Sequence, residues 1–99
     1  MRLYIDTRDS EKIVVGLDGN KVVADSRREK AQMLLGVIHR ELERRSKCIH
    51  DVKSIEVETG PGSFTGLRVG ISVANALGWA LGVRVNGQGP GKLIVEPVY

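Results

Sequence analysis

Short apolar runs bounded by turn residues open the chain, and the apolar positions then take a helical period. Leu3-Tyr4-Ile5-Asp6, an apolar run closed by a carboxylate, predicts a first strand. Lys12 to Leu17 and Lys21 to Ala24 are two further strand-like runs, joined by Asp18-Gly19-Asn20, whose Asp-Gly pair is a hairpin turn signal. Arg8-Asp9-Ser10 supplies the turn before them, so three antiparallel strands open the chain. From about Glu29 to Ser46, Ala31, Leu34, Leu35, Ile38 and Leu42 recur on one face of a helix. Met33 and Val37, spaced i, i+4, form a small second apolar patch outside that stripe.

Val52 to Val57 reads as a fourth strand, with Ile55 and Val57 alternating against Ser54 and Glu56. A loop at Thr59 to Ser63 leads into a second helix from about Phe64 to Leu81, with Ser63 as N-cap and Gly82 as the C-terminal glycine. Val83 to Val85 is a short fifth strand, residues 86–91 are turn-rich, and Lys92 to Val95 is extended enough to add an edge strand. The tail ends in Val98 and Tyr99, which either dock on the sheet edge or stay loose. This order, β-β-β-α-β-α-β, is that of the ribonuclease H-like, actin-like ATPase (ASKHA) domain. It predicts an α/β fold with a mixed five-stranded sheet and two helices.

The second helix is the most informative element. Between Leu67 and Leu81 the strongly polar residues are Arg68, Ser72 and Asn75, and the helix lacks the wet face expected of one covering a small sheet. Gly66, Gly70, Ala74, Gly78 and Gly82 recur every four residues. Each glycine costs about 1 kcal/mol relative to alanine inside a helix, so the ridge calls for a close backbone approach as compensation. That approach is either to the chain's own sheet or first helix, or to another protein. In both cases Val69, Val73, Ala76 and Ala80 still need cover. The expectation is a helix-on-helix protein interface over Met33, Val37, Gly66, Val69, Gly70, Val73, Ala74 and Leu77.

Composition narrows the classes. Ninety-nine residues make one domain, 41% hydrophobic and 27% charged, with a core built on aliphatic side chains because aromatics are only 4%. No apolar run approaches the roughly 18 residues of a bilayer span, and the first residues are charged too early for a secretory leader. A single cysteine, Cys48, excludes an internal disulfide, and the protein is expected in the cytoplasm. The net charge of +3 is mild. Its basic residues gather at Arg27, Arg28, Lys30, Arg40, Arg44, Arg45 and Lys47, a face open to RNA phosphates or simply solvated and laced by Glu29, Glu41 and Glu43.

Candidate chemistry is sparse. Gly60-Pro61-Gly62-Ser63-Phe64-Thr65-Gly66 follows a strand and opens a helix, where backbone N–H groups cradle phosphate in other folds. Its spacing matches neither the dinucleotide nor the P-loop pattern. Asp6 and Glu58 end the first and fourth strands, side by side in such a fold, and a carboxylate pair there would hold Mg²⁺ in a small metal-dependent nuclease. A two-metal nuclease wants a third carboxylate from a later helix, and Asp6 equally suits a turn residue. His39, His50 and Cys48 lack metal-ligand spacing, and no serine or cysteine has a recognisable base partner. No catalytic residue, cofactor site or metal site is assigned.

Leu3-Tyr4-Ile5-Asp6-Thr7 and, above all, Gly60-Pro61-Gly62-Ser63-Phe64-Thr65-Gly66-Leu67-Arg68 resemble the TsaB (YeaZ) family, with the likeness running from residue 3 to about 86. The resemblance implies an actin-like fold and a non-catalytic subunit of the bacterial machinery that installs threonylcarbamoyl on the adenosine next to the tRNA anticodon. It implies pairing with a TsaD-like catalytic subunit through helices of the N-terminal domain, a TsaE-like ATPase as a further partner, and only indirect contact with tRNA. Without a partner, the apolar second helix should drive self-association, so a homodimer is expected in isolation. Lys30, Ala31, Gln32 and Gly36 depart from the family's usual opening of the first helix. The family's second domain is missing, with residues 87–99 a divergent tail in its place, so a two-domain nucleotide clamp is not expected.

Overall fold

The computed structural model describes residues 1–26, 28–89 and 96, and within them the elements follow the predicted order. β1 (Arg2–Asp6), β2 (Lys12–Leu17) and β3 (Asn20–Asp25) form an antiparallel meander, followed by α1 (Lys30–Arg44), β4 (Ser54–Val57), α2 (Phe64–Leu81) and β5 (Arg84–Val85). Across the sheet the order is β3-β2-β1-β4-β5, with the β1–β4 and β4–β5 pairs parallel. The expected edge strand at Lys92 to Val95, the terminal Val98 and Tyr99, and Arg27 of the basic group lie outside the described residues.

The β2–β3 hairpin closes as its sequence demands. Leu17 pairs with Asn20 across Asp18 and Gly19, whose φ values of 50° and 88° match the double positive φ of a type I′ turn. Register then sorts the strands. Leu3 lies opposite Leu17 and Ile55, and Ile5 opposite Val15 and Val57, so the period-2 apolar positions share one face. Both helices cover that face, α1 over β2 and α2 over β1, β4 and β5. Leu3, Ile5, Ile13, Val15, Leu34 and Leu67 are wholly buried between the layers.

Helix α1 is rotated from the expected stripe. Its buried arc is Leu34, Val37, Ile38, Glu41 and Leu42, while Ala31 is exposed and Leu35 is 48% exposed. The helix packs against β2 and α2 together, which draws in the Val37 side and turns Leu35 out. Val37, 2% exposed, is therefore a core residue and not part of an outer patch with Met33. Glu41 enters the buried arc with its carboxylate held 3.1 Å from Arg44. The start of α1 has no side-chain cap and is tied down by Lys30, whose Nζ donates to the carbonyls of Asp9 (3.0 Å) and Lys12 (3.3 Å). α1 ends at Arg44, short of the expected Ser46, which has φ 54°. A 3-10 turn at Ile49–Asp51, unforeseen in the sequence, delays the start of β4 to Ser54.

The glycine ridge of α2 faces the chain's own sheet. A Cβ at Gly66 would overlap the Thr7 carbonyl oxygen, one at Gly70 the Thr7 side chain, and one at Gly78 the Val85 side chain. Ala74 is wholly buried on the same side. Gly66, Gly70 and Ala74 are thus unavailable to a partner, because the sheet already occupies the approach they permit. The outward line of α2 carries Phe64, Thr65, Arg68, Ser72, Ala76, Trp79 and Ala80, a mixture of polar and apolar side chains. Beyond Val85, Asn86 prolongs β5 in an unforeseen way. Its backbone N–H donates to Ile55 O, and its side-chain amide donates to Val57 O (2.9 Å) and accepts from Val57 N–H (2.8 Å). One side chain thereby stands in for a further strand residue.

Candidate functional site

The motif loop and the strand ends meet at one place. Gly62 lies so close to the chain after β1 that a Cβ would come within 2.8 Å of Arg8 Cβ and 2.9 Å of its carbonyl oxygen. Ser63 N–H donates to that carbonyl at 2.8 Å. Ser63 Oγ then accepts from Gly66 N–H at 3.2 Å, the N-cap bond, while Thr7 Oγ1 donates to Gly66 O at 2.6 Å in a buried contact. Leu67 continues into the core, and Arg68 lies over the Phe64 ring at 5.3 Å on the surface. The Ser63, Gly66 and Leu67 N–H groups are all taken by this docking, so they do not form a phosphate cradle. Pro61 has no donor to offer.

Asp6 and Glu58 come together at the ends of β1 and β4, as the topology predicts, but not as an open pair. Arg8 grips Asp6 with both arms of its guanidinium, Nε to Oδ1 at 3.1 Å and an Nη to Oδ2 at 2.9 Å, and its backbone N–H adds a bond to Oδ1 at 3.0 Å. Its other Nη reaches Glu58 Oε1 at 3.9 Å. The Tyr4 hydroxyl donates to Glu58 Oε2 at 2.8 Å, with Asp6 Oδ2 at a longer 3.4 Å. Burial would raise the Asp6 carboxyl, but the hydrogen bonds and charge of Arg8 outweigh it and hold Asp6 below the usual carboxylate range. Burial, the Glu58 bond and the two negative charges push the Tyr4 phenol well up, so it stays protonated and donating. Lys21 covers the Tyr4 ring at 4.3 Å, in space left by Gly16 between them.

These residues do not fit the nucleotide-bound cation that an actin-like ATPase fold implies. Asp6 Oδ1, Asp6 Oδ2 and Glu58 Oε2 each accept a hydrogen bond, Glu58 Oε1 faces the guanidinium at 3.9 Å, and a positive charge sits where a cation would be held. Among the described residues no group of three or more His, Cys, Asp or Glu side chains is placed to hold a metal. Arg8 and Tyr4 were not singled out from the sequence. The available signal was spacing, since i and i+2 on an extended segment point the same way and put Tyr4, Asp6 and Arg8 on one side.

A second feature runs along the opposite layer. Between α1 and α2 lies a furrow with two cavities, of about 410 Å³ beside Leu35, Leu42, Ile49 and Leu77 and about 370 Å³ beside Ala31, Val69 and Val73. Val69, Val73 and Leu77 are half-buried in it, and Met33 is half-buried against the core. His39 pairs with Glu43 at 2.7 Å on the rim, and Cys48 is an exposed free thiol. Trp79 stands 74% exposed on the outward side of α2. Of the residues the sequence named for an interface, the fold brings Val69, Val73 and Leu77 to this furrow.

The model of the family described as TsaD, tRNA N6-adenosine threonylcarbamoyltransferase, matches residues 22–87, two thirds of the chain. The chain belongs to the TsaD family. Within it, similarity reaches both branches. The chain is 27% identical over 88 residues to the tRNA threonylcarbamoyladenosine biosynthesis protein TsaB of Bacillus subtilis, covering 85% of this chain and 38% of that protein. It is 40% identical over 60 residues to the tRNA N6-adenosine threonylcarbamoyltransferase of Tropheryma whipplei, covering 61% of this chain and 15% of that protein. Among solved structures, YeaZ from Pseudomonas aeruginosa superposes with a TM-score of 0.70 at 29% identity, over 85% of this chain and 41% of that one. The chain therefore spans well under half the length of each of these relatives, and its fold is that of the YeaZ (TsaB) branch. Among the described residues no helix is long and apolar enough to cross a membrane.

Proposed function

We propose that this chain acts in tRNA threonylcarbamoyladenosine biosynthesis as a non-catalytic subunit that docks a TsaD-like catalytic protein along the α1–α2 furrow. The observation that carries this reading is the furrow itself. Leu35, Val69, Val73 and Leu77 line two apolar hollows on the helical layer, chemistry suited to the apolar face of a helix from a second protein. The relationship to TsaB and TsaD supplies the partner, and the engaged Asp6–Glu58 pair favours a binding role over metal-dependent hydrolysis. A TsaE-like ATPase joins the assembly, tRNA is met through the catalytic subunit, and the assembly works in the cytoplasm. Without its partner the furrow pairs with a second copy, giving a homodimer.

Size-exclusion chromatography with light scattering, alone and with the same organism's TsaD-like protein, tests this. The expected result is a dimer that exchanges into a stable heteromer. Leu35→Glu, a surface change that places a charge in the furrow, weakens pairing by roughly tenfold or more while circular dichroism stays unchanged. A chain that remains monomeric and ignores the TsaD-like protein refutes the reading. Gly70→Leu is unsuitable for this purpose, since Gly70 faces Thr7 and not a partner.

A further inference from the structure

The Asp6–Glu58 pair sits at the carboxyl ends of two neighbouring parallel strands, the place where open α/β sheets bind ligands. Two carboxylates there, with a phenol bridging them, would repel one another and attract a cation. The chain answers with Arg8. Its guanidinium is anchored by the bidentate bond to Asp6 and leans to Glu58, while Tyr4 closes the remaining carboxylate oxygen. Arg8 is further fixed from behind, because its carbonyl accepts from Ser63 N–H and Gly62 packs against its Cα and Cβ. The Arg8 backbone is thus held in place, and its half-exposed side chain is directed by the bidentate bond to Asp6.

We infer that Arg8 is a built-in counter-cation, occupying by covalent attachment the position a divalent ion would take between Asp6 and Glu58, and thereby excluding metal from this strand-end site. The consequence is specific. The metal-binding capacity of the pair is masked, and removing the guanidinium uncovers it. An arginine suits the task because it cannot deprotonate and its planar fork matches a carboxylate.

The test uses the full chain and Tb³⁺ alone, whose luminescence is sensitised by a nearby tyrosine, here Tyr4. The unsubstituted protein gives little sensitised emission. Arg8→Gln binds Tb³⁺ roughly tenfold or more tightly, and Mg²⁺ competes, because two carboxylates are freed and a repelling charge is removed. Adding Asp6→Asn to Arg8→Gln abolishes the gain. Equal binding by the unsubstituted protein and Arg8→Gln overturns the inference, as does a gain that survives Asp6→Asn. Should Arg8→Gln unfold at working temperature, the readout becomes its melting midpoint. Mn²⁺ is then expected to raise the midpoint of Arg8→Gln and leave that of the unsubstituted protein in place, and a failure to do so is equally decisive.

Discussion

The same substitution, glycine to alanine, should have opposite signs at two helical positions. At Gly70 a new Cβ overlaps Thr7 Oγ1 and comes within 3.2 Å of Thr7 Cβ. Relieving that overlap moves α2 off β1 or turns Thr7, and overpacking of this kind costs about 1–3 kcal/mol. Turning Thr7 also breaks its buried bond to Gly66 O, a loss of about 1 kcal/mol. Alanine returns about 1 kcal/mol of helix propensity. The net is a destabilisation of about 2 kcal/mol. At Gly36, on the open side of α1, an added Cβ meets nothing within 4 Å, so only the propensity gain of about 1 kcal/mol remains. The two variants should therefore differ by about 3 kcal/mol, or about 2 M in urea midpoint at an m-value near 1.5 kcal/mol/M. The assay is urea denaturation followed by far-UV circular dichroism, at one protein concentration because any self-association would add stability by mass action. Thr7→Ala removes the Oγ1 and Cγ2 atoms that crowd position 70, so Thr7→Ala with Gly70→Ala should cost less than the sum of the two, by about 1 kcal/mol. If both glycine variants move the midpoint in the same direction, α2 is not wedged against Thr7 and the explanation of the ridge fails.

Asn86→Ala should cost about 1–3 kcal/mol by the same denaturation assay, since it leaves the Val57 N–H and C=O without their partners at the end of β4, whereas a solvent-side change such as Lys53→Gln should be near neutral. Acid stability should follow Asp6. Because its folded pKa is depressed, its contribution is complete above the ordinary aspartate value of about 3.9 and is lost as pH falls through the lower folded value. Asp6→Asn should accordingly lower the urea midpoint at neutral pH and flatten its decline toward about pH 3, and an unchanged acid limb would show that the Arg8 grip contributes nothing to folding.

What the sequence determined by itself was everything written in local period and turn chemistry. The Asp18-Gly19 turn, the alternation in β4, the Ser63 cap and the Gly82 stop all act within a few residues of chain, and from them the element order followed, while the family resemblance rested on the strings Leu3 to Thr7 and Gly60 to Arg68. The glycine recurrence in α2 was equally legible, but its meaning was not. A four-residue spacing says that something approaches closely and cannot say whether it is Thr7 and Val85 of the same chain or the backbone of another. Only packing decided that, just as it decided that Val37 turns in and Leu35 out, because α1 must satisfy β2 and α2 at once and its buried arc is a compromise between them. The strand-end cluster was half readable. Topology alone brings Asp6 beside Glu58, but whether the pair stands open or closed depends on Arg8, whose long side chain is free to point anywhere until Gly62 and Ser63 clamp its backbone and the two carboxylates draw in its guanidinium.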